Sequence, residues 1–248
     1  MQAYLILTRR ELASYFLSLT GYLIIAASMF LIGSTVFVQM VLLQQVPSTI
    51  PITEVFYITL FWLILLPTPA ITMRLFALEK FSGTFETLMT APVSDLQVVL
   101  AKFTAAMVFY IVTWLPLLGC LLVVRHYASD KTAFDAGVVG STFLGSLLLG
   151  SMFISFGCCA SAMTRSQIVA AIISLVFGSS VCLLGVLAGQ IVDDASWQSK
   201  ALSCFSLFDH MHDFARGVVD TRPVVFLVSL TLFFLFLTLR IIESRRWK

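Results

Sequence analysis

At the start of the chain Leu5, Leu12, Phe16 and Leu19 recur at helical spacing, while Thr8, Arg9, Arg10, Glu11 and Ser14 occupy the other faces. That pattern predicts an interfacial helix over residues 3–17, lying in the plane of a headgroup layer. Beyond it the alternation gives way to unbroken apolar runs at 20–43, 55–75, 102–124, 136–163, 168–190 and 223–242. Each matches the roughly 20 apolar residues that a helix needs to cross a bilayer. The expected fold is therefore an all-α integral membrane protein with six transmembrane helices and an N-terminal interfacial helix, forming a single domain over 1–248. Two polar stretches between the runs, 76–101 and 191–222, are long enough to carry structure of their own.

Composition strengthens this picture. Of the 248 residues 59% are hydrophobic and only 11% charged, whereas soluble domains carry about a quarter charged residues. The first apolar run, preceded by Arg9 and Arg10, has the flanks of a secretory signal. It continues to about Leu43, too long for a signal core, and so is read as a retained anchor. Basic residues accumulate on the cytoplasmic side of membrane proteins. With the N-terminus inside, ten basic residues (Arg9, Arg10, Arg74, Lys80, Lys102, Arg165, Arg240, Arg245, Arg246 and Lys248) face five acidic ones there. Outside, five basic residues face eight acidic ones; the net +5 and −3 make up the chain's +2. Both termini are thus expected to be cytoplasmic.

What the apolar runs lack narrows the function. None of the six cores carries the mid-membrane acid, histidine or base on which an ion-coupled carrier depends. Paired Asp, His–Glu or Ser–His sets that would suit an intramembrane enzyme are missing too. No Gly-x-x-x-x-Gly-Lys-Ser/Thr loop is present to cradle a nucleotide phosphate. Energy must then come from another subunit, and this chain is expected to bind no cofactor itself. Cys120, Cys158, Cys159 and Cys182 lie within apolar runs and Cys204 in a polar loop, which is neither a disulfide framework nor a metal spacing. His210 and His212 flank Met211 between Asp209 and Asp213, but on a helix two histidines two apart point to different faces, so no metal site is expected. Nothing points to nucleic acid.

Small residues four apart let helices approach closely in lipid. Gly137, Ser141 and Gly145 form one such stripe; Ser146 with Gly150 and Ser151 with Ser155 form others. They suit packing within the chain or a subunit interface. Pro67, Pro69 and Pro116 interrupt helical hydrogen bonding inside the runs and are expected to bend them.

In the 76–101 segment Phe81, Phe85, Leu88 and Met89 fall on one helical face, with Glu79 and Glu86 displaced from it. A short amphipathic helix is predicted, loosened at its start by Gly83 and stopped by Pro92. Ser94 followed by Gln97 matches a capping box that starts the next helix. A helix of this kind suits the groove of a soluble partner or a membrane surface.

Met73-Arg74, Glu79-Lys80, Gly83-Thr84, Glu86, Leu88 and Pro92-Val93-Ser94 together resemble the loop of type-2 ABC transporter permeases, and most closely the branch of the gliding-motility and nitrous-oxide-reductase-maturation permeases. Ala101-Lys102 stands where that family has Gly-Lys. The resemblance covers nearly the whole chain. It implies a coupling helix in which Glu79, Lys80, Phe81, Gly83, Thr84, Phe85, Glu86, Leu88, Met89 and Pro92 meet a separate ABC ATPase that binds the ATP and Mg. The interfacial helix and the turn Thr164-Arg165-Ser166-Gln167 would add contacts. It further implies a second permease copy or a paralogue, contact with membrane lipid, and a multi-pass location in a bacterial plasma (inner) membrane. In the outside stretch Leu202, Phe205, Phe208, Met211 and Phe214 keep an amphipathic pattern; by the same resemblance Phe205, Phe208, Met211 and Phe214 would form an exit gate, the alternative being a cap resting on the bundle. The function so implied is ATP-driven export through this permease subunit, with a non-transporting mechanotransmission role on outside machinery as the alternative.

Overall fold

A computed structural model of the chain describes residues 2–43, 64–85, 93–127, 136–190 and 207–245. Among these residues every regular element is an α-helix: α1 (Gln2–Phe16), α2 (Leu19–Leu43), α3 (Pro67–Thr72), α4 (Ala77–Ser82), α5 (Asp95–Tyr127), α6 (Ala136–Met163), α7 (Gln167–Gln190), α8 (Leu207–Ala215) and α9 (Thr221–Arg245). Five of them, α2, α5, α6, α7 and α9, are long and apolar enough to cross a membrane. They fall on five of the six predicted runs.

Of the remaining run, 55–75, residues 55–63 lie outside the described residues, and the helix ends earlier than predicted. Pro67 opens α3, where its missing N–H costs nothing. Thr68 and Thr72 then turn their hydroxyls back onto the carbonyls of Ile64 and Thr68, each at 2.9 Å. The helix stops at Thr72, and residues 73–76 form a turn. Pro116, in contrast, is accommodated inside a continuous α5.

Helix α6 is the hub. Of its apolar window 67% is buried, against 22% for α2 and α9, and its most extensive packing is with α9, followed by α7 and α8. Several of its small residues explain this, because they admit a neighbour. A Cβ on Gly145 would stand 2.7 Å from Cγ of Phe214 in α8, and one on Gly157 would stand 2.6 Å from Cβ of Thr72 in α3. Ser151 lies 3.1 Å from Thr231 of α9, hydroxyl to hydroxyl. For Gly145 and Ser151 the close-packing signal resolves into contacts within the chain. Apolar side chains on the outer helices face away from the bundle, as with Ile168, Ile172, Val176 and Leu183 of α7, a stripe at helical spacing suited to lipid.

Helix α6 also measures the molecule. Ser141, near its start, donates to the carbonyl of Phe214 in α8 at 2.7 Å, whereas Ser161, near its end, holds the segment leading into α4. Twenty residues of helix separate these contacts by about 30 Å, the thickness of a bilayer's hydrocarbon core. Helices α4 and α8 therefore sit at opposite ends of the bundle.

Candidate functional site at one end of the bundle

The α4 end is assembled from local rules. The predicted capping box is present: Ser94 Oγ accepts from Gln97 N–H at 3.3 Å, and Gln97 Oε1 accepts from Ser94 N–H at 3.4 Å. This fixes the start of α5. Upstream, α4 is only six residues long and ends at Gly83, which takes the left-handed conformation (φ 76°) that closes a helix. The prediction of one helix carrying Phe81, Phe85, Leu88 and Met89 on a single face is thereby corrected. Glycine at this position caps rather than loosens, and Thr84 and Phe85 belong to a new helical turn. Glu86, Leu88, Met89 and Pro92 lie outside the described residues.

Helix α4 is tied down on several sides. Ser161 Oγ accepts from the N–H groups of Phe76 and Ala77, both at 3.0 Å, and donates to the Met73 carbonyl at 3.3 Å. It thus satisfies from another helix the donors that a helix start leaves unpaired. Lys80 donates to the carbonyl of Ala162, and its ammonium lies 5.2 Å from the centre of the Phe85 ring. On the other flank Lys102 Nζ lies 2.9 Å from Glu79 Oε1 and 3.1 Å from Glu11 Oε2. Arg10 reaches Glu11 at 2.6 Å and Glu79 at 3.2 Å. Lys102 is only 1% exposed and is also set 5.3 Å from the centre of the Phe76 ring. Burial disfavours the charge of the half-exposed Arg10, but its hydrogen bond to Glu11 and the charges of Glu11 and Glu79 outweigh this and raise its pKa.

Helix α1 joins the same platform. Tyr15 stacks on Phe109 of α5 at 4.7 Å and donates its hydroxyl to the Ile71 carbonyl at 2.8 Å. Burial pushes the Tyr15 phenol far up, so it stays a neutral donor. Tyr4 donates to Thr104 at 3.0 Å, and Arg74 clasps the α1–α2 elbow through Ser18 at 2.7 Å and Thr20. The 164–166 turn follows directly on the α6 end that accepts Lys80.

Of the coupling residues singled out in the sequence, Glu79 and Lys80 thus face inward and anchor α4. Phe85 is half-buried beneath Lys80. Phe81, 78% exposed, forms with Ser82, Gly83 and Thr84 a protruding tip. Replacing Ser161 with alanine strips two buried N–H groups of their acceptor, and is expected to cost about 1–2 kcal/mol. Thermal unfolding in detergent, with proteolysis at 77–85 as a local probe, checks this.

The sequence reading counted Glu11 and Lys102 among inside charges and missed their site role, as it missed that of Ser161. The available signal was a lone lysine, Lys102, embedded between Ala101 and Phe103 two turns into a long apolar helix. At the opposite end Met211 and Phe214 are buried against the bundle; Phe205 lies outside the described residues. No group of three or more His, Cys, Asp or Glu comes together among the described residues.

Residues 43–240 match the family model described as ABC-2 family transporter protein. The chain belongs to the ABC-2 transporter family. It is thus a membrane permease subunit of an ABC transporter, and no enzyme chemistry is ascribed to the chain itself. No curated protein matches the sequence. Of the platform residues of this ABC-2 permease, Arg74, Glu79, Lys80, Lys102 and Ser161 fall within the matched stretch, whereas Arg10, Glu11 and Tyr15 precede it.

Proposed function

We propose that this permease is driven by a separate ABC ATPase, which binds the ATP and Mg and docks on the tip formed by residues 81–84. The observation that carries the reading is Phe81, a large aromatic left exposed on a helix tied to α1, α5 and α6. Exposed aromatics on rigid supports are the usual anchors of protein interfaces. Two copies, or this chain with a paralogue, would pair in the bacterial plasma (inner) membrane with two ATPase subunits, and ATP binding and hydrolysis would drive export between the paired bundles. The α4 end faces the cytoplasm in this reading. Arg9, Arg10, Arg74, Lys80 and Lys102 gather there, in line with the cytoplasmic bias of basic residues. Helix α1 then lies at the inner interface and both termini are cytoplasmic. At the other end, release of α8 from α6 at Phe214 and Met211 would open the exit.

The test is co-purification of the tagged permease from native membranes with whatever ATPase accompanies it. Phe81→Asp is expected to weaken the complex about tenfold without lowering the permease's own melting temperature, the size of effect typical for losing one interface anchor. Full retention of a stoichiometric ATPase by Phe81→Asp overturns the docking assignment.

A further inference from the structure

A six-residue helix flanked by the 73–76 turn on one side and a left-handed glycine on the other has no stiffness of its own along the chain. A push on the tip would flex those two joints unless lateral ties carry it onward. On the α6 side the ties are Ser161 and the Ala162 carbonyl. On the α5 side the tie is Lys102. Its ammonium joins Glu79 of α4, Glu11 of α1 and the face of Phe76 in the turn between α3 and α4. Helix α5 has 33 residues, about 50 Å, and runs from this platform to the far end of the bundle. An apolar residue at 102 would avoid the several kcal/mol that burying an ammonium costs. What a lysine adds there is a directional link to two carboxylates on two other helices. Glu11 and Glu79 balance Arg10 and Lys102 in charge, and Glu79 Oε2 is buried with no hydrogen-bond partner, so the carboxylates depend on their cations.

We infer that Lys102 is a positioning residue for energy coupling. By sharing its ammonium between Glu11 and Glu79 it makes α1, α4 and the first turns of α5 a single block, and movement of the tip reaches the far end through α5. The inference rests on the reading that an ATPase docks at the tip.

The experiment uses the co-purified complex with spin labels at Leu122 on α5 and Val225 on α9. Both positions are exposed, both lie toward the far end, and neither belongs to the platform or the tip. The Leu122–Val225 distance distribution is measured without nucleotide and after trapping with ATP and vanadate. The wild type is expected to shift on trapping. The triple variant Glu11→Gln/Glu79→Gln/Lys102→Met keeps the volumes and removes the three enclosed charges together, leaving only the half-exposed Arg10 charged. It is expected to melt like the wild type and to retain the ATPase and its hydrolysis, yet to lose the shift. Lys102→Arg, which keeps the cation, is expected to preserve it. Should the triple variant not fold, Glu79→Gln alone, cutting only the α4 arm, is expected to reduce the shifted population roughly twofold or more. A triple variant that shifts like the wild type overturns the role of Lys102 and leaves the docking reading intact, as does an unaffected Glu79→Gln where that variant serves. A wild-type complex with ATPase bound and hydrolysing but no shift also overturns it. Absence of any ATPase overturns the docking reading, and this inference with it.

Discussion

Replacing Lys102 with methionine alone is expected to destabilise the protein by about 3–5 kcal/mol, the cost of breaking a buried ion pair by removing one partner. The side chain is as well filled by methionine as by lysine, so packing is not the cause. The carboxylates of Glu11 and Glu79 would remain largely enclosed, at 11% and 16% side-chain exposure, facing one another with Arg10 as their shared cation. Because Arg10 is 52% exposed, water screens its attraction to both. Adding Glu11→Gln and Glu79→Gln to Lys102→Met is expected to recover most of the loss, since the only charge left in the cluster is that of Arg10, which is 52% exposed to water. The measurement is the midpoint of thermal or denaturant unfolding in one detergent for the single and triple variants. A single variant as stable as the wild type would mean that Lys102 is not buried among these acids.

The contrast between Lys102 and the spans shows what the sequence could and could not disclose. Long apolar runs declare helices by themselves, because in lipid a backbone must pair its own polar groups; α2, α6, α7 and α9 begin and end within a few residues of the runs that predicted them. The Ser94–Gln97 cap was legible because both partners lie three residues apart. Lys102 was not, because its partners lie 23 and 91 residues away and only the folded chain shows whether a lysine at the mouth of a span faces water or carboxylates. Ser161 was equally silent: a serine in an apolar helix more often returns its hydroxyl to its own backbone, as Ser155 does toward Met152. Gly83 was ambiguous in a different way. A glycine near a helix end fits either a weak first turn or a C-terminal cap, and the two choices move Phe81 and Phe85 onto one helix or two. The consequence for the site is a division of labour within Glu79–Phe85: residues that read as a uniform partner-facing helix separate into anchors, Glu79 and Lys80, and an exposed tip at Phe81.

Close packing gives the second large effect. Gly150→Leu is expected to cost about 3 kcal/mol, the upper end of overpacking in a filled core. Even a bare Cβ at this position would stand 2.5 Å from Cζ and 2.7 Å from the hydroxyl of Tyr110. That ring cannot easily yield. It is fully buried, donates its hydroxyl to the Ser146 carbonyl at 3.1 Å, and meets Trp114 edge to face at 5.8 Å, with Trp114 in turn set against Phe143 at 6.2 Å. Relief would require α5 and α6 to part, which undoes the approach that the small residues of α6 permit. Gly140 on the same helix is the matched control, since a Cβ there meets nothing within 4 Å. Gly140→Leu is expected to be neutral or to stabilise by up to about 1 kcal/mol through helix propensity. Unfolding midpoints of the two variants, measured side by side, separate crowding at the α5–α6 contact from a general intolerance of side chains along α6; equal losses at both positions would refute the contact.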